Sequence, residues 1–274
     1  MKKKSMFQII GNVVLVLMML IVLIPLFWLL VSSFKTDKEV VKWPPIFFSS
    51  TWTSIQYVYV TSVLPVLNML KNTIFFAGGV TVISLVIDSM AAYAFSRLKF
   101  KRKKIIFAII LVTMMIPFQV VMIPLYLEEY KLGILNTYLG LVLPRAASAY
   151  GIYMLSSFFE SIPKSLDEAA RIDGMNERQI YMKIIIPLAK PALVTLGIYH
   201  FMNNWNDLLY PMMLTSNADQ RTLSAGLATL VGSNAIKYGP TLAATVLSIA
   251  PLMILFLFGQ KFFMEGISTS GIKE

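Results

Sequence analysis

Two short stretches of this chain carry side chains whose types and spacing can do chemistry. The first is HFMNNWNDLLYP, His200 to Pro211, which brings Asn203, Asn204, Trp205, Asn206, Asp207 and Tyr210 close together. Amides and carboxylates hydrogen-bond to hydroxyl groups, and aromatic rings stack on apolar faces, so the set can hold a neutral, hydroxyl-rich ligand. On a continuous helix Asn203, Asn206 and Asp207 fall at i, i+3 and i+4 and share a face. The same groups can instead tie membrane helices together by hydrogen bonds, and the spacing leaves both readings open. Under either reading they are too costly to face lipid.

The second stretch is SLDEAARIDGMNERQIYMKIIIP, Ser165 to Pro187. Ser165 followed by Glu168 has the form of a capping box and predicts a helix from Leu166. Gly174 is its natural stop. Asn176 with Gln179 repeats the cap for a second helix, which Pro187 ends or bends. The first helix would carry Leu166, Ala169, Ala170 and Asp173 on one face and Asp167, Glu168 and Arg171 on the other, with Asp167 and Arg171 spaced for an ion pair. A short capped helix with adjacent alanines fits a socket on another protein, and a solvated loop helix has the same physical signature. A DNA-reading helix-turn-helix is a third reading, on the spacing of Ala170 and Gly174, and it is disfavoured because helices held between membrane spans are poorly placed to enter a groove.

The elements that must position these stretches are membrane spans. Of the residues, 57% are hydrophobic and only 14% charged, about half the charge of a typical soluble domain. Ile9 to Val31, Ile105 to Leu127 and Tyr238 to Gln260 contain no charge at all. A run of roughly 20 residues at about 1.5 Å each crosses a hydrocarbon core of about 30 Å. Three more runs are interrupted by single polar groups: Asn72 to Phe95 by Asp88, Tyr138 to Phe159 by Arg145, and Ala192 to Leu214 by His200 and Asp207. The expectation is an all-α polytopic membrane protein, one domain over 1–274, with six spans at about 9–31, 72–95, 105–127, 138–159, 190–214 and 239–261. The first run is too long for the core of a signal peptide, and Leu29-Leu30-Val31-Ser32 is no small-x-small cleavage site.

The formal charge of +10 is unevenly placed. With six spans, Lys2 to Lys4, the cluster RLKFKRKK (Arg97 to Lys104), the basic residues from Lys164 to Lys190, Lys261 and Lys273 fall on one side. By the positive-inside rule that side is the cytoplasm, so both termini and the 160–187 loop between spans four and five are predicted cytoplasmic. The basic clusters are then topology signals, and no nucleic-acid partner is expected. The chain has no cysteine and one histidine, which argues against disulfides and against a thiolate or multi-histidine metal centre. His200 reads as a structural group. Arg145 is expected to snorkel or to pair with Glu128 or Glu129, and Asp88 to pair with Arg97 or Lys99. Pro117 and Pro124 in MIPFQVVMIPLY should free the carbonyls of Thr113 and Val120 and kink the third span. The aromatic segment Lys35 to Asn68 fits a membrane interface, and the stretch from Thr215 to Lys237 is too short to span.

The loop resembles a known signature. EAARIDG followed by IIIP is similar to the EAA loop of ABC importer permeases, E-A-A-x-x-x-G, nine residues, then I-x-L-P. Glu168, Ala169, Ala170, Gly174, Ile184 and Pro187 match it, with Ile186 in place of the usual leucine. NNWNDLLYPMML, RTLSAGLAT and the tail FFMEGISTSGIKE resemble the shorter second permease of maltose-type carbohydrate importers. The resemblance implies that the first loop helix is a coupling helix seated in a cytoplasmic ATPase subunit, with Glu168, Ala169, Ala170, Asp173, Gly174, Ile184 and Pro187 as coupling residues. It also implies a homologous second permease in a heterodimer, two ATPase subunits, an extracellular solute-binding protein, a carbohydrate cargo and a bacterial cell-membrane location. Asn203, Trp205, Asn206, Asp207 and Tyr210 are then candidates for the cargo path. No Gly-Lys dipeptide is present, hence no phosphate-binding loop; the resemblance implies no cofactor on this chain and no catalysis by it. A glycerol-phosphate importer of the same family is the nearest alternative. An ion-coupled secondary transporter is the alternative of another class, and the few intramembrane acids and lack of internal repeat weigh against it.

Overall fold

The computed structural model describes residues 6–232 and 237–270, with side chains over 10–230 and 237–257. Lys2 to Lys4, Lys273 and the tail from Gly271, and the side chain of Lys261, lie outside the described residues. Helices run α1 (Met6–Ser32), α2 (Asp37–Val40), α3 (Ile55–Val63), α4 (Val66–Arg97), α5 (Lys103–Thr113), α6 (Phe118–Leu132), α7 (Tyr138–Val142) and α8 (Ala149–Ser161). They continue with α9 (Lys164–Ile172), α10 (Glu177–Ile180), α11 (Ile186–Leu188), α12 (Lys190–Trp205), α13 (Leu209–Leu214), α14 (Leu223–Gly232) and α15 (Tyr238–Ser270). Among the described residues the chain is all-helical. Three helices are long and apolar enough to cross a membrane: Ile10–Ser32, Val66–Arg97 and Tyr238–Leu257. Two bent pairs raise the number to as many as five, α5 with α6 at 96° and Glu177–Leu188 with α12 at 77°.

The chain divides into two compact units. The first comprises residues 1–66 and 227–251. Its small core is Val60, Ala243 and Ala244, with Tyr57, Val66, Leu227, Leu230 and Leu247 packed against them. None of the most apolar window of α1 is buried, so that helix presents its side chains outward all round. Just after α1, the buried Lys35 donates to the Ile46 carbonyl at 2.6 Å and lies 4.1 Å from the Trp28 ring centroid. Burial lowers its pKa. Glu39 gathers the hydroxyls of Ser49 and Ser50 and the Ser50 N–H, and those hydrogen bonds hold its carboxyl down to about 2.

The second unit comprises residues 67–226 and 252–274 and contains both candidate sites. Its larger core joins Ala92 and Tyr93 of α4 to Leu155 and Phe159 of α8, Ala170 of α9, Ile180, Ile185 and Leu196. Three of the apolar runs expected as spans are broken here, each beside a proline. Pro117 precedes α6 at φ −64, ψ 140, so the 105–127 run turns through 96° instead of merely kinking. The Thr113 carbonyl, which Pro117 cannot reach, accepts from the Ile116 N–H at 3.2 Å. Pro124 sits inside α6 without ending it.

The 138–159 run divides into α7, a 3₁₀ turn at Leu143–Arg145 and α8, whose N-cap Ser148 accepts from the Gly151 N–H. Pro144 leaves the Gly140 carbonyl without its helical donor, and the Tyr210 hydroxyl donates to it at 3.0 Å. The 190–214 run stops at Trp205 and resumes at Leu209, with Pro211 in the resumed turn. In the break, Asp207 Oδ1 accepts from the Tyr210 N–H at 3.2 Å.

Candidate functional site

The three breaks meet at one guanidinium. Arg145 lies in the second break, forms an ion pair with Asp207 in the third and donates to Asn204 Oδ1 at 3.2 Å. Its charge stands 4.2 Å from the Tyr210 ring centroid and 5.7 Å from that of Phe118, the first residue after the first break. Tyr210 is buried and packs against Phe76 and Phe118. The Arg145 and Asp207 side chains keep 23% and 16% of their exposure, so the pair is neither sealed in the core nor spread on a surface. This replaces the expected pairing of Arg145 with Glu128 or Glu129. Glu129 is buried, and both of its carboxylate oxygens are without a hydrogen-bond partner. A Cβ on Gly140 would come within 2.8 Å of Glu129 Oε2, so the carboxylate is packed against α7 while Asp207 takes the guanidinium.

The residues singled out from HFMNNWNDLLYP therefore separate. Because α12 ends at Trp205, Asn203 and Asn206 do not continue onto a helical face with Asp207, which lies in the break. Asn203 and Asn206 are exposed, and the Asn206 amide donates to the Met202 carbonyl at 2.9 Å. Trp205 is buried against Phe201. Asn204 is buried too, bridging the His200 carbonyl and Arg145. Only its place among neighbouring amides flagged it in the sequence.

Asp88 is completely buried and does not pair with Arg97 or Lys99. Its carboxylate accepts from the Ser148 N–H at 2.8 Å and faces His200 Nε2 at 3.1 Å, joining α4 to α12 and to the start of α8. A Cβ on Gly151 would collide with Asp88 Oδ2, so glycine is what lets the carboxylate approach. His200 is the satisfied structural group its setting implied.

The 160–187 loop is the second site. Its first helix starts at Lys164, after Pro163 at φ −56, ψ 128, and Ser165 makes no cap. The proline has already fixed the chain's entry, and Ser165 falls inside the first turn. The stop is as predicted: Gly174 has φ +80, its N–H donates to Arg171, and the Met175 N–H donates to Ala170 at 2.9 Å, the paired bonds of a Schellman end. The Asn176–Gln179 capping box is present in both directions at 2.9 Å. A π turn over Tyr181–Ile185 follows, and the chain bends at Ala189 just beyond Pro187.

The loop turns its polar residues unequally. Asp167 and Ala170 are buried, while Leu166, Glu168, Ala169, Ile172 and Asp173 are exposed, Ile172 to 87%. Ile184 is half-buried against the core and Pro187 exposed. The expected Asp167–Arg171 pair does not form. Asp167 pairs with Arg97 Nε at 3.2 Å with both side chains almost fully buried, and Arg171 pairs with Glu177 at 2.9 Å. Glu177 also accepts from the Tyr93 hydroxyl at 2.6 Å, and these two bonds lower its pKa. What remains outward on α9 is an apolar stripe, Leu166, Ala169 and Ile172, flanked by acids and open to a partner.

Among the described residues the chain is all-helical, has three helices long and apolar enough to cross a membrane, and turns the exposed stripe of α9 outward. Residues 84–268 match the family model of the binding-protein-dependent transport system inner membrane component. The arabinooligosaccharide transport permease AraQ of Halalkalibacterium halodurans is 34% identical over 256 residues, 92% of each chain. The inner membrane ABC transporter permease YcjP of Escherichia coli is 30% identical over 94% of each. Among solved structures, a bacterial ABC transporter involved in import of the acidic polysaccharide alginate contains a chain with TM-score 0.79 and 28% identity, covering 96% of this chain and all of that one. The chain belongs to the binding-protein-dependent ABC transporter inner-membrane permeases. It is a multi-pass component of the transporter and not its ATP-hydrolysing part. Membership implies ATPase and binding-protein partners.

Proposed function

We propose that this permease imports a sugar or oligosaccharide delivered by an extracellular solute-binding protein. The observation that carries the reading is the coupling-type loop on a chain whose relatives include permeases named for arabinooligosaccharides, lactose and diacetylchitobiose. The arrangement proposed has six spans over one domain, 1–274, with both termini and the 160–187 loop in the cytoplasm. Breaks in three runs are accommodated where protein or a water-filled path, and not lipid, meets the freed backbone. The chain would pair with a homologous second permease above two ATPase subunits. Glu168, Ala169, Asp173 and the outward stripe of α9 would sit in the ATPase cleft, with Ala170, Gly174, Ile184 and Pro187 shaping and anchoring the loop behind them.

The cargo path would run past the convergence of breaks. Asn203 and Asn206 would offer amides to hydroxyls and the partly exposed Arg145–Asp207 pair would line the path, with the buried Trp205 and Tyr210 packed behind. The test is uptake of a panel of labelled oligosaccharides, monosaccharides and glycerol phosphate into cells with and without this chain. Loss of one saccharide is expected; loss of glycerol phosphate alone would overturn the sugar reading. Asn206→Ala should then weaken apparent affinity with assembly intact. Losing one hydrogen bond to a buried partner costs about 1–3 kcal/mol, or roughly 5- to 150-fold. Unchanged affinity with reduced assembly would move Asn206 from the path to a helix interface.

A further inference from the structure

We propose that Arg97 and Asp167 form the joint that carries movement of α9 into α4, with Tyr93 and Glu177 as a second strut. The inference rests on the reading of α9 as the coupling helix and adds which residues position the membrane helix that responds to it. The polar links from the loop into α4 fall along its last turns, with Tyr181 hydrogen-bonded to Ser89 at 2.7 Å and the two charged links at the very end. Asp167 reaches Arg97 at 3.2 Å, and Arg171 reaches Tyr93 through Glu177 at 2.9 and 2.6 Å. Tyr93 and Arg97 are i and i+4, at the end of α4 nearest the loop. Arg97 also donates to the Ile162 carbonyl at 2.8 Å, so one guanidinium touches α4, α9 and the end of α8.

The two struts are unequal. Arg171 and Glu177 are 42% and 46% exposed, where an ion pair contributes little. Arg97 and Asp167 are 1% and 3% exposed, where separating the charges is strongly opposed. The buried pair is an ionic contact and not a hydrogen-bonded one, since Arg97 Nε and Nη1 and Asp167 Oδ1 have no hydrogen-bond partner. A guanidinium with two uncommitted donors beside a carboxylate with an uncommitted acceptor can change its contact geometry without the charges parting. That suits a joint that must turn under load.

Beyond the joint, α4 is an unbroken helix of 32 residues. Its Asp88 holds α12 and the start of α8, and its Asn72 donates to the carbonyls of Asp219 and Arg221 and accepts from the Tyr138 hydroxyl. A displacement delivered at Arg97 therefore reaches the elements that bear the helix breaks. The alternative role for the pair is to keep the loop folded and nothing more.

The chain has no cysteine, so single spin labels can be placed at Ile172→Cys on α9 and Val82→Cys on α4, both well exposed. Each is read in the purified whole transporter, with partner-subunit cysteines replaced, before and after trapping with ATP and vanadate. Both labels should respond in the otherwise unaltered chain. In Arg97→Gln the Ile172 response should persist while the Val82 response falls several-fold, and the exchanged pair Arg97→Asp with Asp167→Arg should restore it. A Val82 response of full size in Arg97→Gln overturns the joint. Failure of the Ile172 label to respond in the unaltered chain overturns the coupling reading itself. Should Arg97→Gln fail to assemble, Tyr93→Phe takes its place: a diminished Val82 response supports the joint, and an unchanged one counts against it.

Discussion

Gly151 shows how closely single residues are fitted in this unit. Asp88 can accept from Ser148 and face His200 only because nothing projects from Gly151. Gly151→Ala should overpack the site, at about 1–3 kcal/mol. A lowered thermal midpoint of the detergent-solubilised transporter is the expected outcome, and an unchanged midpoint would contradict the packing. The sequence marked Asp88, Arg145 and His200 as polar groups in apolar runs, and all three are engaged with protein. Their partners were not legible. Asp88 and His200 are 112 positions apart, and nothing local distinguishes that contact from one with nearby Arg97. Arg97 itself is drawn away by Asp167, a residue that local spacing had assigned to Arg171.

At the scale of elements, local chemistry was legible wherever one residue decides the geometry. Gly174 and the Asn176–Gln179 box end and begin helices as their types require. Ser165 failed because Pro163, two residues earlier, had already set the helix start. The prolines were legible as perturbations but not in size, since whether Pro117 kinks a span or turns it through 96° depends on neighbours that can meet the freed carbonyls. At Pro144 such a neighbour is the Tyr210 hydroxyl on Gly140, from a distant part of the chain, whereas the Thr113 carbonyl freed by Pro117 is met locally by the Ile116 N–H. Gly174→Val forces a β-branched residue into φ +80, where the strain is of order 1–3 kcal/mol. Membrane insertion should be retained and ATP-driven uptake reduced, read by fractionation and transport on the same cells. Uptake at the unaltered rate would show that the Schellman end of α9 is dispensable.

For the whole molecule, composition gave the membrane class, charge placement gives only an expected orientation, and the loop signature pointed to the family that the similarity over more than nine-tenths of the chain establishes. The helical breaks inside three expected spans are what composition could not show, because an apolar run has the same hydropathy whether straight or folded back. Coupling through this loop requires α9 to be the contact with the ATPase. Leu166 is on its outward stripe, and a cysteine there is unique in the chain. The direct measurement is cross-linking from Leu166→Cys with a short bifunctional reagent in membranes containing the assembled transporter. An adduct between this chain and the ATPase subunit, altered in yield by ATP and vanadate, is the predicted result. An intact complex that gives no such adduct, with Leu166→Cys labelled by an impermeant reagent from outside intact cells, would contradict it.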